Sequence, residues 1–136
     1  MGRAQRTNDA WWVSTKDFLP NNEEKILIIS KWGHVSNAMY TDYGLGGPVL
    51  FRPDGLKPDI DVKWWMPIPA DGWHRLADVP PQEGQIALTM GYYGNIYDGI
   101  WKRQVASADF CFHPFVGEVV FWREMPVLPA GVTLKF

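Results

Sequence analysis

The sequence predicts a mainly β fold: a β-rich α+β chain made of two tandem repeats of a small antiparallel sheet unit with short helical turns, packed as one compact domain. Three observations predict it. The apolar runs are short and rich in β-branched and aromatic residues. Turns interrupt them often, because 13 Gly and 11 Pro fall within 136 residues. The order of runs and turns in residues 11–70 then returns in residues 71–130, and self-similarity of this kind marks a repeated structural unit.

Taken in chain order, residues 1–10 read as a flexible polar lead-in. Trp12-Val13-Ser14-Thr15-Lys16-Asp17-Phe18-Leu19-Pro20 is echoed by Trp73-His74-Arg75-Leu76-Ala77-Asp78-Val79-Pro80-Pro81, each with Asp five residues after the Trp. A polar turn follows, Asn21 to Lys25 or Gln82 to Gln85. Next comes an apolar run, Ile26-Leu27-Ile28-Ile29 or Ile86-Ala87-Leu88, then a glycine-marked turn, Trp32-Gly33-His34 or Tyr92-Tyr93-Gly94-Asn95, and a return through Val35 to Tyr40 or Ile96 to Trp101. Strand, glycine turn and strand predict a hairpin in each half. Each half closes on a Trp-led, proline-stopped segment, 62–69 or 119–129, the second carrying Arg123-Glu124 as a two-residue insertion. Strands are expected at 25–31, 34–41, 61–66, 85–91, 95–102 and 117–123. The stretches 14–17 and 106–109 could each hold one helical turn. Residues 42–59 and 102–115 read as long loops, and 131–136 as a C-terminal tail.

Composition excludes several classes. With 46% hydrophobic residues, 21% charged and a net charge of −2, the chain is neither a disordered tail nor a dense nucleic-acid mimic. Thirteen basic and fifteen acidic residues, spread without runs, give no basic footprint, so nucleic acid is not an expected partner. The run Trp64 to Ala70, broken by Pro67 and Pro69, is far short of the ~20 apolar residues of a spanning helix, and no membrane association is expected. The N-terminal residues lack an apolar signal region and Cys111 is the single cysteine. A cytoplasmic protein is therefore the expectation.

The order Trp12-Val13-Ser14, then Asp17 and Leu19-Pro20, then Ile26-Leu27-Ile28, and finally Val62-Lys63-Trp64-Trp65-Met66-Pro67-Ile68-Pro69 resembles a phage and prophage family known as domain of unknown function 551. Its members begin Trp-Ile/Val-Ser and end Val-Thr-His-Trp-Met-Pro-Leu-Pro. Residues 11–70 match well, whereas the second half keeps the frame but has Arg75 where the serine is expected. Trp64 stands in place of the family's closing His. The resemblance implies an accessory protein of a phage, a prophage or its bacterial host, and no reaction.

Catalytic and metal candidates are sparse. Cys111 and His113 are two residues apart, but a thiol nucleophile needs an activating base and an orienting group, and Phe110 and Phe112 flank this one. Cys-x-His lacks the second ligand pair of a zinc site. His34 and His74 occupy different places in the two halves. Asp54, Asp59, Asp61 and Asp71 match no calcium loop, and Gly44-Leu45-Gly46-Gly47-Pro48 lacks the Gly-Lys-Ser/Thr ending of a phosphate loop. No cofactor, no metal and no catalytic residue are predicted.

The aromatics separate into two groups. Trp12 and Trp73, Trp65 and Trp122, and Tyr40 and Trp101 match across the halves and read as core. Successive strand residues face opposite ways, so Trp64 and Phe121 define a second apolar face, covered by a long loop, the other half or a second copy of the chain. Trp11, Trp32, His34, Tyr92 and Tyr93, at or near the turns, are the candidate partner-binding residues, because rigid aromatics on turns make binding hot spots. The expected function is thus non-enzymatic binding of a protein partner, such as a host defence or regulatory factor. The alternatives are a virion or assembly component, a carbohydrate-binding module, or an enzyme with a site between the halves.

Overall fold

A computed structural model of the chain describes residues 12–42, 49–53, 62–104, 109–113 and 118–135, and among these residues every regular element is a strand. The mainly β expectation holds. Contacts gather the chain into two compact units, Met1–Ile68 with Pro126–Lys135, and Pro69–Met125. The first contains β1 (Val13–Ser14), β2 (Lys25–Ile29), β3 (Val35–Asp42), β4 (Val49–Pro53) and β5 (Trp64–Pro67), paired in the order β1-β5-β2-β3-β4. The second contains β6 (His74–Arg75), β7 (Ile86–Gly91), β8 (Ile96–Arg103), β9 (Phe110–His113) and β10 (Val119–Glu124), paired β6-β10-β7-β8-β9. Each of these pairings is antiparallel.

All six expected strands form, with ends moved by up to three residues. Four further strands were hidden. β4 and β9 lie inside the stretches 42–59 and 102–115 expected to be loops, and β1 and β6 are two-residue strands. β9 is Phe110-Cys111-Phe112-His113, in which Phe112 is buried and the other three residues are half-buried. Such a strand is too short for its period to stand out among the surrounding turn residues.

The helical turn expected at 14–17 is a single hydrogen-bonded turn that goes no further. Asp17 and Phe18 both donate their N–H to the Ser14 carbonyl, at 3.0 and 3.1 Å. Pro20, which has no N–H to donate and disfavours a helical Leu19, stops the segment from winding on, and Thr15 ties the turn to the chain before β5, its N–H donating to the Lys63 carbonyl at 3.0 Å and its hydroxyl to the Val62 carbonyl at 2.9 Å. The corresponding stretch 106–108 lies outside the described residues. Register also corrects the expected insertion. Arg123 and Glu124 pair with Leu88 and Ala87, as Met66 and Pro67 pair with Leu27 and Ile26, so Arg123-Glu124 continues the strand where Met66-Pro67 does.

Alternation sorts the side chains of the first unit. Val13, Ile26, Ile28, Ala38, Tyr40, Val62 and Trp65 form one buried cluster. Leu27 and Met66 on the opposite face are also buried, so the expectation of strands apolar on both faces is met here. In the second unit the cluster is Ala87, Phe112 and Trp122, with Leu76, Trp101 and Val119 packed against it. Trp101 and Trp73 are only half-buried, unlike Trp12, Trp65 and Trp122. The Trp73 indole still finds a partner, donating to the Pro69 carbonyl at 2.9 Å.

Burial, reinforced by the Asp42 carboxylate, pushes the Tyr40 phenol above its ordinary pKa. The unfolded chain would release this proton near pH ~10 while the native one holds it. Its contribution to stability is therefore complete below about pH 10 and lost as the pH rises towards the native value. In urea titrations from pH 8 to 11 the midpoint is expected to fall, and to fall less for Tyr40→Phe; equal slopes would refute this assignment.

Each hairpin is entered through a bulged turn. Glu23 N–H donates to the Tyr40 carbonyl at 2.7 Å and Tyr40 N–H to the Glu24 carbonyl at 3.0 Å, so Glu23 and Glu24 together oppose one residue. The first position of such a bulge is left-handed and favours glycine. Gly84 fills it in the second unit at φ 84°, whereas Glu23 adopts φ 63°. A left-handed non-glycine costs roughly 1–2 kcal/mol, offset in part by the entropy of an added glycine. Glu23→Gly is expected to stabilise the protein by about 0.5–1 kcal/mol in thermal or urea unfolding, and a loss of stability would disprove the strain.

Candidate functional site

The two hairpin tips are built alike. In the first, Ser30 N–H donates to the His34 carbonyl at 2.8 Å and Gly33 N–H to the Ser30 carbonyl at 3.0 Å, with Gly33 at φ 81°. In the second, Gly91 N–H donates to Asn95 at 2.9 Å and Gly94 N–H to Gly91 at 3.1 Å, with Gly94 at φ 86°. This is a three-residue hairpin loop, a turn followed by a left-handed glycine. It forces the two residues before the glycine outward.

Those residues are Lys31-Trp32 and Tyr92-Tyr93. Tyr92 is 76% and Tyr93 92% exposed, with their rings edge to face at 5.4 Å between centroids. Trp32 is 45% exposed, and the Lys31 ammonium stands 5.1 Å from its ring centroid. His34 is half-buried at the base of its tip. Trp11 lies outside the described residues. Tyr92 and Tyr93 thus share one tip, and Trp32 and His34 the other.

The remaining candidates fall into supporting roles. His74 packs on Trp122 with ring centroids 4.6 Å apart, and its Nε2 is 3.2 Å from Glu124 Oε1. The Glu124 carboxyl is held below its ordinary range, first by a hydrogen bond from its own backbone N–H and then by His74. Cys111 Sγ is 3.3 Å from His113 Nε2 and accepts from Gln104 Nε2 at 3.2 Å. Residues two apart on a strand share a face, so the thiol and imidazole stand on the face opposite Phe112, and the flanking phenylalanines do not enclose the sulfur as sequence adjacency implies. Asp71 supplies its carbonyl to Arg123 Nη1 at 2.7 Å. Among the described residues no group of three His, Cys, Asp or Glu side chains converges as a metal site would require. Asp54, Asp59, Asp61 and Gly44–Pro48 lie outside the described residues.

Trp64 and Phe121, expected to share a second face, differ in their surroundings. Phe121 is 37% exposed. Trp64 is half-buried and lines a cleft together with residues expected to be a tail. Lys135 N–H donates to the Gly33 carbonyl at 2.9 Å, and a turn at 129–132, with Gly131 at φ 82°, brings the chain there. Between this segment, the first hairpin tip and the start of β5 lies a cleft of about 670 Å³ lined by Trp64, Lys31, Lys63, Lys135, Ser30 and Thr133. Sequence reasoning missed it because its lysines are scattered from 31 to 135 and form no run.

Among the described residues no helix is long and apolar enough to cross a membrane. Comparison of the chain with protein-family models, curated proteins and solved structures finds no match.

Proposed function

We propose that this is a non-enzymatic accessory protein that binds a protein partner through its aromatic hairpin tips, above all through Tyr92 and Tyr93. The observation that carries the reading is the exposure of two neighbouring tyrosines, 76% and 92%, on a tight turn. Water gains little from an exposed aromatic pair, and a partner that covers it gains area at small conformational cost, since the backbone is already set and each ring has only two torsions. Trp32, with Lys31 over its ring, offers a smaller patch of the same kind.

The same proposal extends to origin. We infer that the chain is a duplicated unit resembling the phage and prophage family named above, acting in a bacterial cytoplasm on a host defence or regulatory factor. Supporting the duplication are matching bonds at matching places: Trp65 Nε1 donates to Phe18 O and Trp122 Nε1 to Val79 O, and Glu24 Oε1 accepts from Asn21 N–H as Gln85 Oε1 does from Gln82 N–H. The family assignment itself rests on the order of the Trp-Val-Ser opening, Asp17, Leu19-Pro20, the Ile26-Leu27-Ile28 run and the Trp-Met-Pro-Ile-Pro closing.

A photo-crosslinking residue at Tyr93, used in bacterial lysate, is expected to trap a discrete protein band, and Tyr92→Ser should reduce it at least about tenfold. Tyr92→Ser/Tyr93→Ser should unfold within about 0.5 kcal/mol of wild type, as exposed substitutions do. Equal trapping of the band by the protein labelled at position 93 with and without Tyr92→Ser would defeat the tip reading.

A further inference from the structure

The cleft beside Trp64 has a chemistry that the Tyr92-Tyr93 tip does not share. We propose that it is a binding site for a small organic polyanion carrying a flat ring, of the nucleoside-diphosphate type, with the anionic groups held by Lys31, Lys63 and Lys135 and the ring lying against Trp64.

Charge is the first reason. The chain as a whole is net negative, yet three lysines line one cleft and no Asp or Glu is among its described lining residues. Like charges gathered on one concavity repel each other, and walls of low dielectric focus their field on whatever occupies it. An anion with two or more charges relieves that repulsion. Ser30 and Thr133 add hydroxyl groups to the same lining, and such neutral donors complete the coordination of phosphate-like oxygens.

Shape is the second. A space of about 670 Å³ falls within the ~300–1,000 Å³ typical of small-molecule sites, well beyond what a single inorganic anion fills. Trp64, half-buried with Ile29 beside it in register, provides the one broad apolar surface, and an indole face suits a flat ring.

Pre-organisation is the third. A side chain that must be frozen on binding costs entropy, and one of the lysines is already restrained. The Lys135 stem lies so close to the hairpin turn that a Cβ on Gly33 would stand 2.8 Å from its Cγ, and the Lys135 backbone is bonded to Gly33. The glycine therefore serves both the turn and the seating of a lysine.

The test is a titration of the full-length protein with ADP, GDP, UDP, inorganic pyrophosphate and adenosine, read by calorimetry and by the amide resonances of Ser30, Gly33 and Thr133 and the Trp64 indole. At least one nucleoside diphosphate is expected to bind about tenfold or more tightly than pyrophosphate or adenosine, weakening as salt screens the charges. Lys63→Gln/Lys135→Gln should lose most of that affinity while raising the thermal midpoint of the unliganded protein, a pairing that a merely structural role for the lysines would not produce. Trp64→Leu should bring nucleoside diphosphate and pyrophosphate to similar affinities; if this variant fails to fold, the relative affinities of the five probes for wild type decide the ring's role. The proposal is overturned if no nucleoside diphosphate shifts those resonances at about 1 mM, if pyrophosphate binds as tightly, or if the folded double-lysine variant binds like wild type. Tyr92→Ser/Tyr93→Ser should leave this binding unchanged, which separates it from the partner reading.

Discussion

Trp65→Ala and Trp122→Ala are each expected to cost about 3–5 kcal/mol, enough to leave a domain of ordinary stability barely folded. Both indoles are sealed, at 0% and 3% exposure, and each also carries a hydrogen bond across its unit, to Phe18 O at 2.9 Å and to Val79 O at 2.6 Å. Phenylalanine separates the two contributions. Trp65→Phe keeps most of the apolar volume but removes the donor, leaving the Phe18 carbonyl to find water or go without. Its cost should fall to about 1–3 kcal/mol, split between a small void and a lost bond. Urea unfolding monitored by far-UV circular dichroism would measure the series. If Trp65→Ala and Trp65→Phe cost the same, the ring's volume is not what holds the first unit together.

Gly99→Val is expected to destabilise by about 1–3 kcal/mol through crowding, not through backbone strain. A Cβ at Gly99 would meet Phe112 Cβ and Cδ1 at 3.2 Å and Thr89 Cγ2 at 3.4 Å. Phe112 is buried beneath Trp101, with ring centroids 4.9 Å apart, so it has little room to retreat. The first unit handles the same place differently. Where the second has Ala87, Gly99 and Trp101, the first has Ile26, Ala38 and Tyr40: the larger aromatic goes with smaller neighbours. Conserving volume in this way is what a close-packed interior demands. Gly99→Ala/Trp101→Tyr should accordingly cost less than the sum of its single changes, and strict additivity in a double-mutant cycle would show that the pairs do not share space.

The legible part of this fold was the part with period and punctuation. Ile26-Leu27-Ile28-Ile29 and Ile96 to Trp101 are long enough for burial to show as composition, and Gly33 and Gly94 mark turns because the left-handed conformation they adopt suits little else. β1 and β6 could not be seen, since two residues carry no period, and they exist only because Ser14 and Arg75 pair with Trp64 and Phe121 from strands far along the chain. The Arg123-Glu124 misreading has a similar cause. Matching Met-Pro to Met-Pro honours residue identity, while the ladder honours position, and on that ladder a nearly buried arginine, 9% exposed, stands where the other unit places methionine. Among the candidate binding residues, Tyr92 and Tyr93 were legible because turn chemistry itself puts them outside. The lysine-lined cleft was not, because distance in sequence hides what the return of residues 131–135 brings together.

That return also sets an order of assembly. Pro69–Met125 is one unbroken stretch, whereas the other unit needs Pro126–Lys135 as well as Met1–Ile68. On a ribosome adding roughly 5–20 residues per second, the earlier-made part of the first unit must stand incomplete for several seconds while the second is synthesised. The unit that begins first is finished last, and Gly33 receives its bond from Lys135 only after the second unit has been made.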